Sequence, residues 1–168
     1  MRYLKALVIG LVSLFILLTA IGLLMPSSVT VGRSVEIKAP VDSVRFYTND
    51  PVEWRLWIHG ADIAYFKQLT ATSNTKNSKI ILGTYTVTVL NNDPKYIITV
   101  WNGQTAKEQL NRLDLYYNSS TDVTVVNWSF QQQLSWFPWD RLGAMLYDNV
   151  YGPSMEVSLN KLKQLCEK

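Results

Sequence analysis

The chain is poor in the residues that most site chemistry needs. It has one cysteine, Cys166, and one histidine, His59, in 168 residues. Neither a disulfide framework nor a Cys/His zinc site can be assembled from that stock. Cys166 reads as a small hydrophobe on the last helical turn, and His59 as a structural or surface group rather than a metal ligand. Charge of one sign is missing too. The net charge is +3, but Arg2 and Lys5 supply two of the positives at the extreme N-terminus, leaving 14 basic against 13 acidic residues. The body therefore has no basic field to attract nucleic acid. Nor is there a nucleophile elbow, a phosphate loop, metal-ligand spacing, an internal repeat or a Gly/Ser linker. No cofactor or metal is expected and no catalytic residue is assigned, so the sequence leaves open whether the chain is an enzyme.

What the chain does have, first, is a long apolar run. "ALVIGLVSLFILLTAIGLLM", Ala6 to Met25, contains no charge. At about 1.5 Å per helical residue it spans about 30 Å, the thickness of a hydrocarbon core. Its polar residues, Ser13 and Thr19, can bond back to the helix's own carbonyls. A core helix of this length would show a polar face, and this one shows none. A transmembrane helix is expected, with residues 1–28 as anchor and residues 29–168 as one domain. The rival, a cleaved signal peptide, usually has a shorter apolar core and a cleaner exit. Arg2 and Lys5 favour a single-pass protein with a cytoplasmic N-terminus and the domain outside. Arg33 and Lys38 on the far side weaken that orientation.

The remainder predicts an α+β domain. "SVTVGRSVEIKAP" alternates as a first strand over Val29 to Ile37, closed by Pro40. Two short helical pieces follow. One holds Val44 and Tyr47; the other opens at "NDPVEW", with Asp50 as cap and Glu53 completing a capping box. Five or six antiparallel strands come next. Tyr85, Val87 and Val89 share one face, and Asn91 to Pro94 form a turn before a strand from Tyr96 to Trp101. Leu113, Leu115 and Tyr117 share a face, then Asn118 to Asp122 turn into a strand carrying Val126, Trp128 and Phe130. Arg112 and Asp114 have the opposite parity and read as a surface charge pair. Asp140 to Lys168 predicts one long helix with Met155, Leu159, Leu162 and Cys166 on a stripe, kinked at Gly152-Pro153. A one-faced sheet needs a cover, and this helix is the only candidate large enough.

"VGRSVEIKAPVDSV", the paired tryptophans of "EWRLW", "VTVVNWSF" and "YDNVYGPSMEVSLNKLKQLCEK" together resemble the SRPBCC (START-like, polyketide cyclase/dehydrase-like) superfamily, and most of all its membrane-anchored bacterial members. The resemblance covers essentially the whole chain. It implies a helix-grip fold, in which a curved antiparallel sheet surrounds a long C-terminal helix, with an apolar cavity for lipids, polyketides or other hydrophobic small molecules. The chain departs from the pattern at Ile58-His59-Gly60, and at "SNTKNSK" where a glycine-rich turn is usual. Both departures fall near the expected pocket rim, so no relative's ligand transfers.

The aromatics carry the site expectation. Trp54, Trp57, Tyr85, Trp101, Tyr117, Trp128 and Met145 fall on segments or parities that can face the space between sheet and helix. Trp136, with Phe137 and Trp139 in "SWFPWD", lies where the last strand meets the helix. There it can close a cavity mouth, rest at headgroup level, or simply pack the helix start. The leading expectation is membrane-tethered binding of a lipid-like or other hydrophobic small molecule. The alternative is a cyclase/dehydrase-like enzyme using the same cavity, with His59 and Asp62 as an acid–base pair at its rim. A third reading is an interaction domain with a filled core. Oligomeric state is not legible.

Overall fold

The computed structural model describes residues 2–60, 65–103 and 107–168. Helix α1 (Arg2–Leu24) leads into β1 (Ser28–Ile37), α2 (Val41–Thr48) and a 3-10 turn (Glu53–Leu56). Strands β2 (Phe66–Gln68), β3 (Lys79–Leu82), β4 (Tyr85–Asp93), β5 (Tyr96–Gly103), β6 (Gln109–Asn118) and β7 (Val123–Gln133) follow. Helices α3 (Pro138–Ala144) and α4 (Tyr147–Cys166) close the chain. All seven strands form one antiparallel sheet in the order β1-β7-β6-β5-β4-β3-β2. This is the expected α+β helix-grip arrangement.

Register defines two ends of the sheet. Ser28 pairs with Gln133, Gln132 with Gln109, Gln109 with Trp101, and Gly103 with Tyr85. At the opposite end Ile37 pairs with Thr124, Asn118 with Val123, and Asp93 with Tyr96. Helix α1 enters and α3 leaves at the first end, where the Leu134 N–H donates to the Ser27 carbonyl (2.8 Å).

The inner face is built by alternation. Val87, Val89, Ile97, Leu113, Leu115, Val126 and Phe130 are buried there, while the Arg112 guanidinium lies on the outer side, bidentate to Asp114 and over the Tyr96 ring at 4.8 Å. Seven strands at about 4.8 Å spacing make a sheet roughly 29 Å wide, and a helix of about 10–12 Å diameter covers only part of it. Helix α4 lies against β1, burying Met155, Leu159 and Leu162. Trp54 and Trp57 from the 3-10 turn fill part of the remainder. Both are fully buried, and their indole N–H groups donate to the carbonyls of Thr48 (2.8 Å) and Tyr47 (3.0 Å).

Four local expectations change. The turn between β4 and β5 is tighter than expected, because Asn91 to Asp93 stay in the ladder past an irregularity at Val89/Asn91, leaving Pro94-Lys95 as the connection. The second helical piece is only a 3-10 turn. Asp50 Oδ1 accepts the Val52 N–H (3.0 Å) and the Ser73 hydroxyl (2.7 Å), and no side-chain capping bond forms. The C-terminal helix is two helices, broken at Met145-Leu146, where α3 turns away to pack on α1. Helical pairing runs through Pro153 instead, inside α4.

Gly152 lets the Arg33 side chain pass close over α4. A Cβ there would lie 2.2 Å from an Arg33 guanidinium nitrogen. Arg33, on β1, crosses α4 at this bare position to reach Asp148 (2.8 Å) and Glu156 (2.7 Å). The Asp148 carboxyl is held below its ordinary range by the Arg33 hydrogen bonds, against a small opposing effect of burial. Its contribution is therefore present above the unfolded value and lost as pH falls through the lowered folded one. Gly152→Ala should raise the melting temperature clearly in an Arg33→Ala background, where only alanine's helix preference remains, and distinctly less in the natural protein, where the Arg33 guanidinium must move aside. The melting-temperature gap between Arg33→Ala and the natural protein should narrow below about pH 4.

Burial pushes the Cys166 thiol up to about 11. Alkylation by iodoacetamide at pH 8 should consequently be slow in the folded protein and accelerate at least tenfold in urea, since the thiolate is the nucleophile.

Candidate functional site

Where α4 leaves the middle of the sheet uncovered, two adjoining hollows of about 310 and 170 Å³ remain. They share Ile58, His59, Tyr85 and Trp101 as lining. The larger continues between Tyr65, Leu82 and Gly83; the smaller runs under α4 between Trp128, Phe130, Tyr151, Ser154 and Met155. Two depressions of about 510 and 540 Å³ are larger but more open. One is polar, beside Asp42, Arg45 and Asp93; the other lies beside Leu90 and Leu110, which are exposed. Neither is as enclosed as the space between sheet and helix.

The walls are aromatic and mutually braced. Trp101 stacks on Trp54 with ring centroids 5.9 Å apart, Trp57 meets Trp128 edge-on at 5.7 Å, and Tyr85 tilts against Trp101 at 5.7 Å. Such contacts add rigidity beyond buried area. Of the residues singled out from sequence, Tyr85, Trp101 and Trp128 thus line the space, while Trp54 and Trp57 stand behind them as scaffold. The other three are placed elsewhere. Tyr117 lies at the hairpin end of β6, 44% exposed, its hydroxyl donating to Asp122 (2.8 Å). Met145 is 68% exposed because the helix breaks beside it. Trp136 is turned outward beside Phe137, with centroids 5.8 Å apart.

Sequence reasoning missed a strip of amides across the floor. Gln109, Asn111 and Gln132 are buried on inner-face positions of β6 and β7, with Thr99 opposite Asn111 on β5. Gln109 Nε2 donates to Gln132 Oε1 (3.2 Å), and Gln132 Nε2 donates to the Tyr147 hydroxyl (3.3 Å). Trp101 Nε1 donates to Thr99 Oγ1 (3.0 Å), and Trp128 Nε1 donates to Asn111 Oδ1 (3.2 Å). This last bond fixes the amide's orientation and leaves Asn111 Nδ2 buried without a partner among the described residues. A buried orphan donor costs about 1–3 kcal/mol. The signal was present in sequence: polar residues at 109, 111 and 132 occupy positions whose parity demands apolar ones. Burial, and secondarily the neighbouring Tyr85, pushes the Tyr151 phenol above its ordinary range, with Gln109 pulling the other way. Its hydroxyl therefore stays neutral in the hollow.

His59 is exposed at the lining. Its backbone N–H donates to Ser158 Oγ (2.8 Å), tying the loop to α4. Asp62, its suggested acid–base partner, lies outside the described residues. Among the described residues no cluster of three or more His, Cys, Asp or Glu could hold a metal.

No family model and no curated protein matches this sequence. Solved structures do match in fold. A START superfamily protein from Mycobacterium smegmatis superposes with a TM-score of 0.61 at 15% identity, over 83% of this chain and 97% of that one. A protein from Nitrosospira multiformis gives 0.62 at 17% identity, over 82% and 95%. The di-domain ARO/CYC protein BexL, of the BE-7585A biosynthetic pathway, gives 0.66 at 10% identity, over 84% of this chain and 51% of that one. At these identities the likeness is one of fold, and the chain has the START-like helix-grip fold.

Proposed function

We propose that the protein holds an amphiphilic small molecule in the hollow between sheet and α4, while residues 6–25 tether it to a membrane. The apolar part of the ligand would lie against Tyr85, Trp101 and Trp128. A hydrogen-bond acceptor on it, such as an ester or carboxyl oxygen, would take the unpartnered N–H of Asn111 once the side chains that close it off from the hollow move aside. The observation that carries this reading is the unpartnered Asn111 amide set in the floor of an aromatic-walled hollow. A hollow meant only to be filled by core side chains would not keep a donor without an acceptor. The fold supports it further, since one neighbour is a START superfamily protein and another an ARO/CYC protein. Helix α1 is long and apolar enough to cross a membrane, and Arg2 with Lys5 favours a cytoplasmic N-terminus.

The test uses the full chain in detergent micelles and two probes of equal chain length. Methyl dodecanoate carries a carbonyl acceptor; 1-chlorododecane carries none of comparable strength. Ser154→Phe, which projects a ring from α4 into the smaller hollow, should reduce binding of both at least tenfold with the near-ultraviolet circular dichroism unchanged. If both probes bind this variant as before, they do not occupy the hollow and the reading fails.

Asn111→Leu should act selectively, abolishing a preference of up to about tenfold for the ester, the worth of one net hydrogen bond. Comparing the two probes within each variant removes any general loss of stability, including that from stranding the Trp128 N–H. A preference that survives the substitution removes Asn111 from the site.

A further inference from the structure

We infer that Trp136-Phe137-Pro138-Trp139 is a second membrane-embedded element, packed on the side of α1 and entering the same bilayer. This rests on the tethering reading above and adds to it where the domain sits.

Phe137 does not meet the end of α1 but its middle: the Phe137 and Phe15 rings lie 6.2 Å apart. From Phe15 to Met25 the helix rises on the order of 15 Å, and helical side chains lean further toward the N-terminus. A residue packed beside Phe15 is therefore well inside the apolar length of α1. The contact continues up the helix, where Gly22 lies against Pro138; a Cβ there would sit 3.4 Å from the proline Cα, in van der Waals contact. Small residues at such crossings are typical of helices packed within lipid.

The joint is also locked. Arg141, 9% exposed, donates to the carbonyls of Met25 (2.6 Å), Gly22 (3.3 Å) and Ser135 (3.0 Å). The first two lie at the C-terminal end of α1; the Gly22 carbonyl also accepts the Met25 N–H (3.0 Å), and the Met25 carbonyl is one that a helix end leaves without an intrahelical partner. One cation thus binds the helix end to α3, so the domain cannot swivel freely on its anchor.

The outward side fits the same partner. Trp136 and Trp139 are 60% and 53% exposed, flanking Phe137, which packs against Phe15 and is itself 39% exposed. Exposed tryptophans beside an apolar span are what the lipid–water boundary favours. Asp140, next in sequence, is ion-paired with Lys107 and bonded to the Ser135 hydroxyl, so no bare carboxylate faces the lipid. The Lys107 contact, ahead of the Ser135 hydroxyl, holds its carboxyl below the ordinary range. The consequence reaches the site. The sheet end carrying Tyr85, Trp101 and Gln109 is the end where α1 enters and α3 leaves. An embedded knuckle sets the hollow against the lipid surface, so that its ligand is drawn from the bilayer itself.

The full chain with Cys166→Ser, reconstituted in phosphatidylcholine–phosphatidylglycerol vesicles, tests this. Single cysteines replace Ile9 in α1, Trp136, Trp139, and Lys76 in the exposed loop at the opposite end of the sheet, each labelled with nitrobenzoxadiazole. Quenching by spin-labelled acyl chains should be strong at 9, 136 and 139 and absent at 76, which an aqueous quencher should reach instead. If 9 is quenched by the lipid while 136 and 139 answer only to the aqueous quencher, the knuckle lies outside and the inference falls alone. If 9 also escapes the lipid quencher, the tethering reading falls and takes the inference with it. The labelled positions are exposed side chains, and near-ultraviolet circular dichroism of each variant confirms that the fold is intact.

Discussion

One helix cannot cover seven strands. The inner face of the sheet must be kept from water, yet α4 is only wide enough to serve part of it. The buried stripe of Met155, Leu159 and Leu162 decides which part, seating α4 over β1 at one edge of the sheet, where Arg33 also crosses Gly152 to two carboxylates. The tryptophans of the 3-10 turn cover more, anchored by their indole N–H groups. What neither covers, above β4 to β6, is the hollow. The site is thus a remainder, its position set by where the cover is fastened rather than by any residue inside it.

That remainder is lined unlike an ordinary core. Two tryptophans stand in its wall, and each indole is turned by a bond to a polar neighbour: Trp101 to Thr99, Trp128 to Asn111. The amide strip therefore positions the aromatic walls. Gln109 and Gln132 bond to each other and Gln132 to Tyr147, while Asn111 keeps a buried N–H without a partner among the described residues. Arg141 makes the other junction, binding the end of α1 through the main-chain oxygens of Gly22 and Met25.

Much of this architecture was legible in the chain. Period-two alternation placed Val87, Val89, Leu113 and Leu115 on the buried face, because side chains on a strand can point only two ways. The helical stripe of Met155, Leu159 and Leu162 was equally plain. The failures have identifiable causes. A kink was expected at Gly152-Pro153, since proline lacks an N–H, and Pro153 lies inside α4; the break at Met145-Leu146 carries no such residue and lies where α3 packs on α1. Met145 was expected at the cavity on a single long helix, and it lies at the surface beside that break. Trp136 was placed at the mouth by its position where the last strand meets the helix, and it faces outward. Tyr117 had the right parity but sits at the hairpin end, where parity no longer implies burial.

Local pattern, then, was enough to determine the kinds of element, their order, the buried face of each strand and the apolar length of α1, because these depend on periodicity and composition along a few neighbouring residues. Tertiary structure decided which tryptophans are wall and which are prop, where the last helix divides, how α1 is joined to α3, and that one amide in the floor lacks a partner. Those outcomes turn on contacts between residues far apart in the chain, such as Arg33 with Glu156 or Gly22 with Pro138, and no window of sequence contains both members of such a pair.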